Sequence, residues 1–215
     1  LQNLSDRARR LTVVSYAEPV MGTSRAASAP FLTTECDAKT GAIFAHNPWN
    51  MAFPDRVAFA DLAGTQTGFA ADRTGFLGRG GGLAAPAALA QGATLSGVTG
   101  TGHDPCLALS RMIDLAPGTR ITIDHFLGQT ASPETARVLI AKLRTADIDA
   151  LLAEVEAHWE TLLGTVQVET PDRAMDIMVN GWLQYQTLAC RVQARAGFYQ
   201  ASGAYGFRDQ LQDGM

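Results

Sequence analysis

At 215 residues, with 47% hydrophobic and 18% charged residues and a net charge of −4, the chain is long enough to bury a sizeable core and carries no concentrated basic footprint for nucleic acid. Arg7, Arg9 and Arg10 form a basic cluster too short for such a surface. No apolar run reaches the roughly 18 residues of a membrane span, and no charged-then-apolar leader opens the sequence. Cys36, Cys106 and Cys190 lie far apart without a C-x-x-C pair, which reads as free thiols in a reducing compartment or at most one bridge. The sequence starts at Leu1 and stops at Met215 within a functional loop and helix, which reads as a fragment.

The first 130 or so residues read as short strands separated by turns. Leu11–Tyr16 is rich in β-branched and aromatic residues and is interrupted by Glu18-Pro19. Phe31–Cys36 and Gly41–His46 follow as a hairpin across Asp37-Ala38-Lys39-Thr40. Arg56–Ala60 is a further candidate strand. Cys106–Leu115 reads as a strand of imperfect alternation, and Thr119–Phe126 alternates through Ile121 and Ile123. Such a series points to an antiparallel sandwich.

The period then changes to that of helices. Ser132-Pro133-Glu134 offers a cap, a first-turn proline and an acid near the positive end of the helix dipole, followed by Ala136, Val138, Leu139, Ile140 and Leu143. Asp147–Leu163 is a second helix closed by Gly164, with Ile148, Leu151, Leu152, Val155, Trp159, Leu162 and Leu163 on one face. Thr170-Pro171-Asp172 starts a third, running to about 196–197. Its apolar residues, among them Met175, Met178, Trp182, Leu183 and Tyr185, cover too wide a surface for a one-sided helix, so it wants neighbours on more than one side. The expected class is therefore α+β, with a sandwich over 1–130, a helical linker over 131–168 and a further helical region over 169–215.

The segment most informative about chemistry is the last. Tyr199 to Asp213 sets Gly203 and Gly206 among aromatic, amide and charged side chains ahead of a predicted helix. Aromatic faces stack on sugar rings, and groups such as Arg208 and Asp209 grip vicinal hydroxyls by directed hydrogen bonds. On composition alone, Arg208 and Asp209 read first as residues that cap and order a turn, since charged residues beside turn glycines are common.

Gly-Phe-Arg-Asp-Gln-Leu-Gln-Asp at 206–213 closely resembles the Gly-Phe/Tyr-Arg-Asp-x-x-Gln-Asp signature of glycoside hydrolase family 94. The longer variant from Ser202 is most similar to the phosphorylase-like region of cyclic β-1,2-glucan synthases. Ser15–Glu18, Asp72–Gly80, Leu95–Gly100 and Asp104-Pro105 resemble that subgroup's sandwich domain, in the same order. The resemblance implies a glycosyltransferase of glycoside phosphorylase type as the full-length parent, acting on β-linked glucans with β-1,2-glucan expected. It places the donor sugar on Arg208 and Asp209 and makes 169–215 the first helix of a truncated (α/α)6 toroid. It implies inorganic phosphate as co-substrate, no cofactor and no metal. The family's general acid lies in a Trp-x-Asp segment beyond Met215, so no catalytic residue is assigned within this chain, and the isolated fragment is expected to be inactive. Where the phosphorylases carry an Arg six residues before the Asp, this sequence has Gly203, so their disaccharide specificity does not transfer. Asp213 is expected to be structural, since the family does not use that position in catalysis. The expected partners are a β-glucan oligosaccharide and the remainder of the parent polypeptide. The expected location is the cytoplasmic side, as a soluble region of a larger inner-membrane protein. The alternative is a non-catalytic carbohydrate-binding or scaffolding module.

Other candidates are weaker. Gly78–Gly82 lacks the Gly-Lys-Ser/Thr of a phosphate loop. His103, Asp104 and Cys106 are close in sequence, but His46, His125 and His158 show no ligand spacing. Ser96 and Ser202 lack the nucleophile-elbow pattern. Trp159 and Trp182 sit on apolar helix faces and read as core.

Overall fold

The computed structural model describes residues 1–189 apart from Gln91 and Ala93. In chain order it comprises β1 (Arg9–Ala17), α1 (Arg25–Ser28), β2 (Thr33–Cys36), β3 (Ile43–His46), β4 (Val57–Asp61), β5 (Gly68–Asp72), α2 (Arg73–Leu77), β6 (Pro105–Leu115), β7 (Phe126–Thr130), α3 (Pro133–Arg144), α4 (Ile148–Leu163), α5 (Arg173–Ile177), a π-helical stretch (Met178–Trp182) and α6 (Leu183–Gln186). The chain divides into two compact units, Leu1–Thr145 and Ala146–Met215.

The first unit is an antiparallel β-sandwich, as the sequence led one to expect. One sheet has the order β1-β6-β5 and the other β2-β3-β4-β7. β1 pairs with β6 along its full length, from Arg9 opposite Leu115 to Ala17 opposite Leu107. The expected hairpin is present, with Thr33 opposite His46 and Cys36 opposite Ile43. Between the sheets, Ile43, Ala45, Ala60 and Leu62 pack with Leu107 and Leu109. The opposite face of β3 and β4 presents Phe44, Val57 and Phe59 to Ala136 and Ile140 of α3. The opposite face of β5 and β6 presents Ala70, Cys106 and Ala108 to Phe76 and Leu77 of α2. Both sheets are thus covered on both sides, which is why β6 reads as a run of apolar residues rather than a clean alternation.

One expected strand is corrected, and two elements are found that the sequence did not announce. Thr119–Phe126 is not a strand: only Arg120 bridges, to Gln2, and the ladder opposite β4 begins at Phe126. Ile121 exchanges hydrogen bonds with Leu1 instead, its N–H donating to the Leu1 carbonyl and its carbonyl accepting from the Leu1 ammonium. β5 and α2 carry no sequence signal of their own. β5 is Gly-Phe-Ala-Ala-Asp, poor in β-branched residues, and α2 contains Gly75. α2 starts because Asp72 caps it, accepting from the N–H groups of Thr74 and Gly75. In β7, Gly128 lies beneath the Phe59 ring so closely that a Cβ would meet it at 2.6 Å.

α3 has the predicted start. The Ser132 hydroxyl accepts from Thr135 N–H and the Thr135 hydroxyl accepts from Ser132 N–H, a complete capping box. Two arginines fasten it to the sheet. Arg137 bonds buried Asp37 at 2.8–2.9 Å. Arg144 grips both oxygens of Asp61, at 2.6 and 2.9 Å, and donates to the Thr40 carbonyl. Asp61 is fully buried, and Gln66 supplies a further donor to it.

In the second unit α4 begins at its Asp147 cap and ends before Gly164, as expected, yet none of its residues is buried. The third helix starts at an Asp172 cap and widens into π geometry at Met178. Asp176, Asn180 and Gln184 form a stripe at i, i+4 and i+8. They hold the preceding segment through Thr170 N–H, both backbone groups of Val168 and the Val166 carbonyl, respectively. Trp182, expected in a core, is half exposed among the described residues. Trp159 meets Tyr185 edge-on at 5.1 Å.

Removing Arg144 leaves Asp61 charged and buried without its counter-ion. Arg144→Ala is expected to destabilise the first unit by about 3–5 kcal/mol, read from urea unfolding. Hydrogen exchange is expected to show the amides of α4 through α6 opening more easily than those of β3, β4 and β6, because the helices bury so little side-chain surface.

Candidate functional site

The sugar-binding pair read from the sequence, Arg208 and Asp209, lies outside the described residues, as do Gly203 and Asp213. The described residues do bring together three of the four sandwich segments that resemble the family.

Tyr16 lies near the end of β1 and Glu18 just beyond it, Arg73 opens α2, and Asp104 immediately precedes β6. Arg25, which the sequence reading did not single out, joins them from α1. The Tyr16 hydroxyl donates to Glu18 Oε1 at 2.6 Å and Arg73 Nε donates to the same oxygen at 2.8 Å. Arg25 Nη1 stands 2.9 Å from Glu18 Oε2 as an ion pair without hydrogen-bond geometry, and Arg25 Nη2 bonds Asp104. Arg73 Nη1 reaches the other oxygen of Asp104 at 3.3 Å, while the Arg73 N–H donates to the Asp104 carbonyl at 2.7 Å. Two carboxylates and two guanidiniums thus alternate in a closed ring. Arg25 bonds Asp104 across 79 residues of sequence, and the ring as a whole has no local pattern by which Arg25 could have been found.

Electrostatics make this ring a fastening rather than a proton-transfer site. Burial works to raise the Glu18 pKa, but hydrogen bonds from Tyr16 and Arg73 and the charges of Arg25 and Arg73 bring it below its ordinary value. Burial and the Glu18 carboxylate push the Tyr16 phenol up, so it stays protonated. The neighbouring Cys106 thiol, buried and surrounded by Asp72, Glu18 and Asp104, is pushed up to about 12. A thiol so raised is a poor nucleophile at neutral pH, and a carboxylate so lowered is a poor proton donor. Asp104 and Cys106, considered above for a metal, are committed elsewhere: Asp104 to the two arginines and the Cys106 thiol towards the Ala70 carbonyl. Among the described residues no group of three or more His, Cys, Asp and Glu could hold a metal ion. Cys36 and Cys106 are free thiols. Among the described residues no helix is long and apolar enough to cross a membrane.

Residues 1–146 match the glycosyl hydrolase 94 supersandwich domain and residues 158–215 match the glycosyl hydrolase 94 superfamily catalytic domain. The chain belongs to the glycosyl hydrolase 94 family. It is 44% identical over 99% of its length to the cyclic beta-(1,2)-glucan synthase of Rhizobium meliloti, covering 8% of that protein. It is 31% identical over 99% of its length to the solabiose phosphorylase of Paenibacillus borealis, covering 27% of it. It is 32% identical over 60% of its length to the N,N'-diacetylchitobiose phosphorylase of Vibrio proteolyticus, covering 16% of it. The chain therefore spans less than a third of the length of each of these relatives.

The folded pKa of Glu18 is depressed, so the stability it contributes is complete above its ordinary value of 4.5 and is lost as pH falls through the lower folded value. The urea midpoint of the sandwich is expected to fall on acidification below that value. Glu18→Gln, weaker at neutral pH, should show a shallower loss on the acid side.

Proposed function

We propose that the chain is part of a glycosyl-transferring enzyme acting on β-linked glucans, with β-1,2-glucan as the substrate. The observation that carries this is the 44% identity with a cyclic beta-(1,2)-glucan synthase, continuous through both units rather than confined to the sandwich. On this reading 1–130 is the sandwich domain, 131–168 the linker and 169–215 the first helix of an (α/α)6 toroid. Arg208 and Asp209 hold hydroxyls of the donor glucose, the guanidinium as a planar double donor and the carboxylate as acceptor. Inorganic phosphate is the co-substrate, in keeping with the phosphorylases among the relatives. Phosphate attacking the anomeric carbon is itself the nucleophile, so the protein need supply one acid for the leaving oxygen and a phosphate cradle. The sandwich offers no such acid in its ionic ring, which supports assigning that role to the helical part of the parent enzyme. The non-catalytic reading, as a carbohydrate-binding or scaffolding module, describes the sandwich unit better than the whole chain.

The test uses the full-length parent enzyme. Asp209→Asn is expected to lower kcat/KM by about ten- to a hundredfold, the worth of a hydrogen bond to a charged group, while the melting temperature stays close to that of the parent. Arg208→Lys should also impair activity, because an ammonium cannot reproduce the fork. A destabilised Asp209→Asn enzyme with normal kinetics would show instead that the pair only orders a turn.

A further inference from the structure

The connection between β3 and β4 places large apolar side chains in solvent while holding their backbone firmly. Trp49 is 72% exposed, Phe53 58% and Met51 96%. Phe31, from the turn before β2, stands beside Trp49 with ring centroids 5.9 Å apart and planes inclined by 42°. Such exposure usually marks a slack loop, but here the backbone is tied down. Buried Asn47 donates from Nδ2 to the Met21 carbonyl at 2.9 Å and accepts from Trp49 N–H at 3.1 Å. Asn50 donates to the same carbonyl at 3.2 Å and accepts from Ala52 N–H at 3.1 Å. Successive turns run from Asn47 to Asn50, Asn50 to Phe53 and Phe53 to Arg56. Met21, the shared acceptor, keeps a positive φ of 45°, a conformation a non-glycine residue adopts only when its surroundings require it. The rings therefore cannot escape water by collapse of the loop onto the sheet.

Two charged side chains follow on the same loop. Asp55 is exposed with no hydrogen bond or ion pair among the described residues, and the Arg56 side chain makes a cation–π contact, its guanidinium 6.0 Å from the Phe53 ring centre. An apolar protein surface closing over this loop would desolvate Asp55 and Arg56 without partners. A pyranose does not, since it offers C–H faces to the rings and hydroxyl edges to the carboxylate and guanidinium.

We infer that Phe31 and Trp49, with Asp55 and Arg56 further along the same loop, form a binding platform for a β-linked glucan chain, in addition to the donor-binding role proposed for Arg208 and Asp209. The platform holds a stretch of polymer and does no chemistry. The inference rests on the glucan reading above for the identity of its ligand, and one relative behind that reading is named as a cyclic beta-(1,2)-glucan synthase.

The experiment titrates the 215-residue chain with linear β-1,2-glucooligosaccharides while following the tryptophan indole N–H resonances and the heat of binding. The Trp49 resonance is expected to shift saturably. Trp49→Ala should weaken binding about tenfold and Phe31→Ala severalfold, with the strand amides of both variants unmoved because these side chains lie outside the core. Asp209→Ala should leave the Trp49 shift intact. A Trp49 resonance that does not respond, binding that survives Trp49→Ala, or a Trp49 shift abolished by Asp209→Ala each overturns the platform. Self-association of the chain that disappears in Trp49→Ala, with no response to sugar, also overturns it and assigns the patch to a protein partner. The donor-site reading fails separately, through normal kinetics of the Asp209→Asn parent enzyme, and that result leaves the Trp49 titration standing.

Discussion

The buried pair between Asp61 and Arg144 is the constraint on which the sandwich unit depends. A carboxylate at the end of β4 has no access to water, and taking it out of solvent costs several kcal/mol unless both its oxygens are engaged. They are: Arg144 takes both oxygens, Gln66 adds a donor, and Arg144 has a further acceptor in the Thr40 carbonyl. That arrangement fixes the last turn of α3 against the hairpin and β4 at once. Arg137 on Asp37 fixes its earlier turns. With both ends held, Ala136 and Ile140 seal Phe44, Val57 and Phe59, a sheet face that would otherwise lie open. The ionic contacts decide where α3 lies, and the apolar contacts supply most of the stabilisation.

What could be read from the sequence follows the range of the forces involved. The α3 capping box, the Asp147 cap and the hairpin between β2 and β3 are local, so the residues that make them are neighbours in the chain. β5 was invisible because its stability comes from lying beside β6, not from Gly-Phe-Ala-Ala-Asp itself. Thr119–Phe126 misled for the opposite reason. It alternates like a strand, but its Ile121 pairs with Leu1, and no ladder forms there. Trp182 carried the marks of a core residue, since helical periodicity reports which face is apolar and not whether anything covers it. The donor-site reading of Arg208 and Asp209 came from their motif alone and falls outside the described residues, and the exposed Trp49 loop was not read at all, because exposure of an aromatic is a property of the fold.

The ionic ring shows why scattered sequence fragments travel together. Tyr16-Ala17-Glu18, Asp72-Arg73 and Asp104-Pro105 have no mutual relation along the chain, yet each contributes a member to one closed set of charges. Replacing any single member leaves an opposite charge half buried and short of a partner, so the fragments are constrained as a group. Asp72 illustrates the economy of this region. It caps α2 with its side chain, and its successor Arg73 enters the ring, so helix start and charge placement are set by two adjacent residues.

The same charges limit what the sandwich can do chemically. Glycosyl transfer requires a group able to give up a proton near neutral pH at the leaving oxygen. In the ring, Glu18 is held ionised by its arginines, Tyr16 is held protonated, and the nearby Cys106 thiol is raised far from neutrality. Each shift moves its group away from the working range, the reverse of what a catalytic site arranges. A unit built this way is suited to holding its shape and presenting a surface. Its asparagine-pinned loop with Trp49 outward fits that role, since rigid presentation of an aromatic face lowers the ordering cost of capturing a flexible polymer. The charged groups of the sandwich are thus placed to hold its shape, and none of those in the ring is poised for proton transfer.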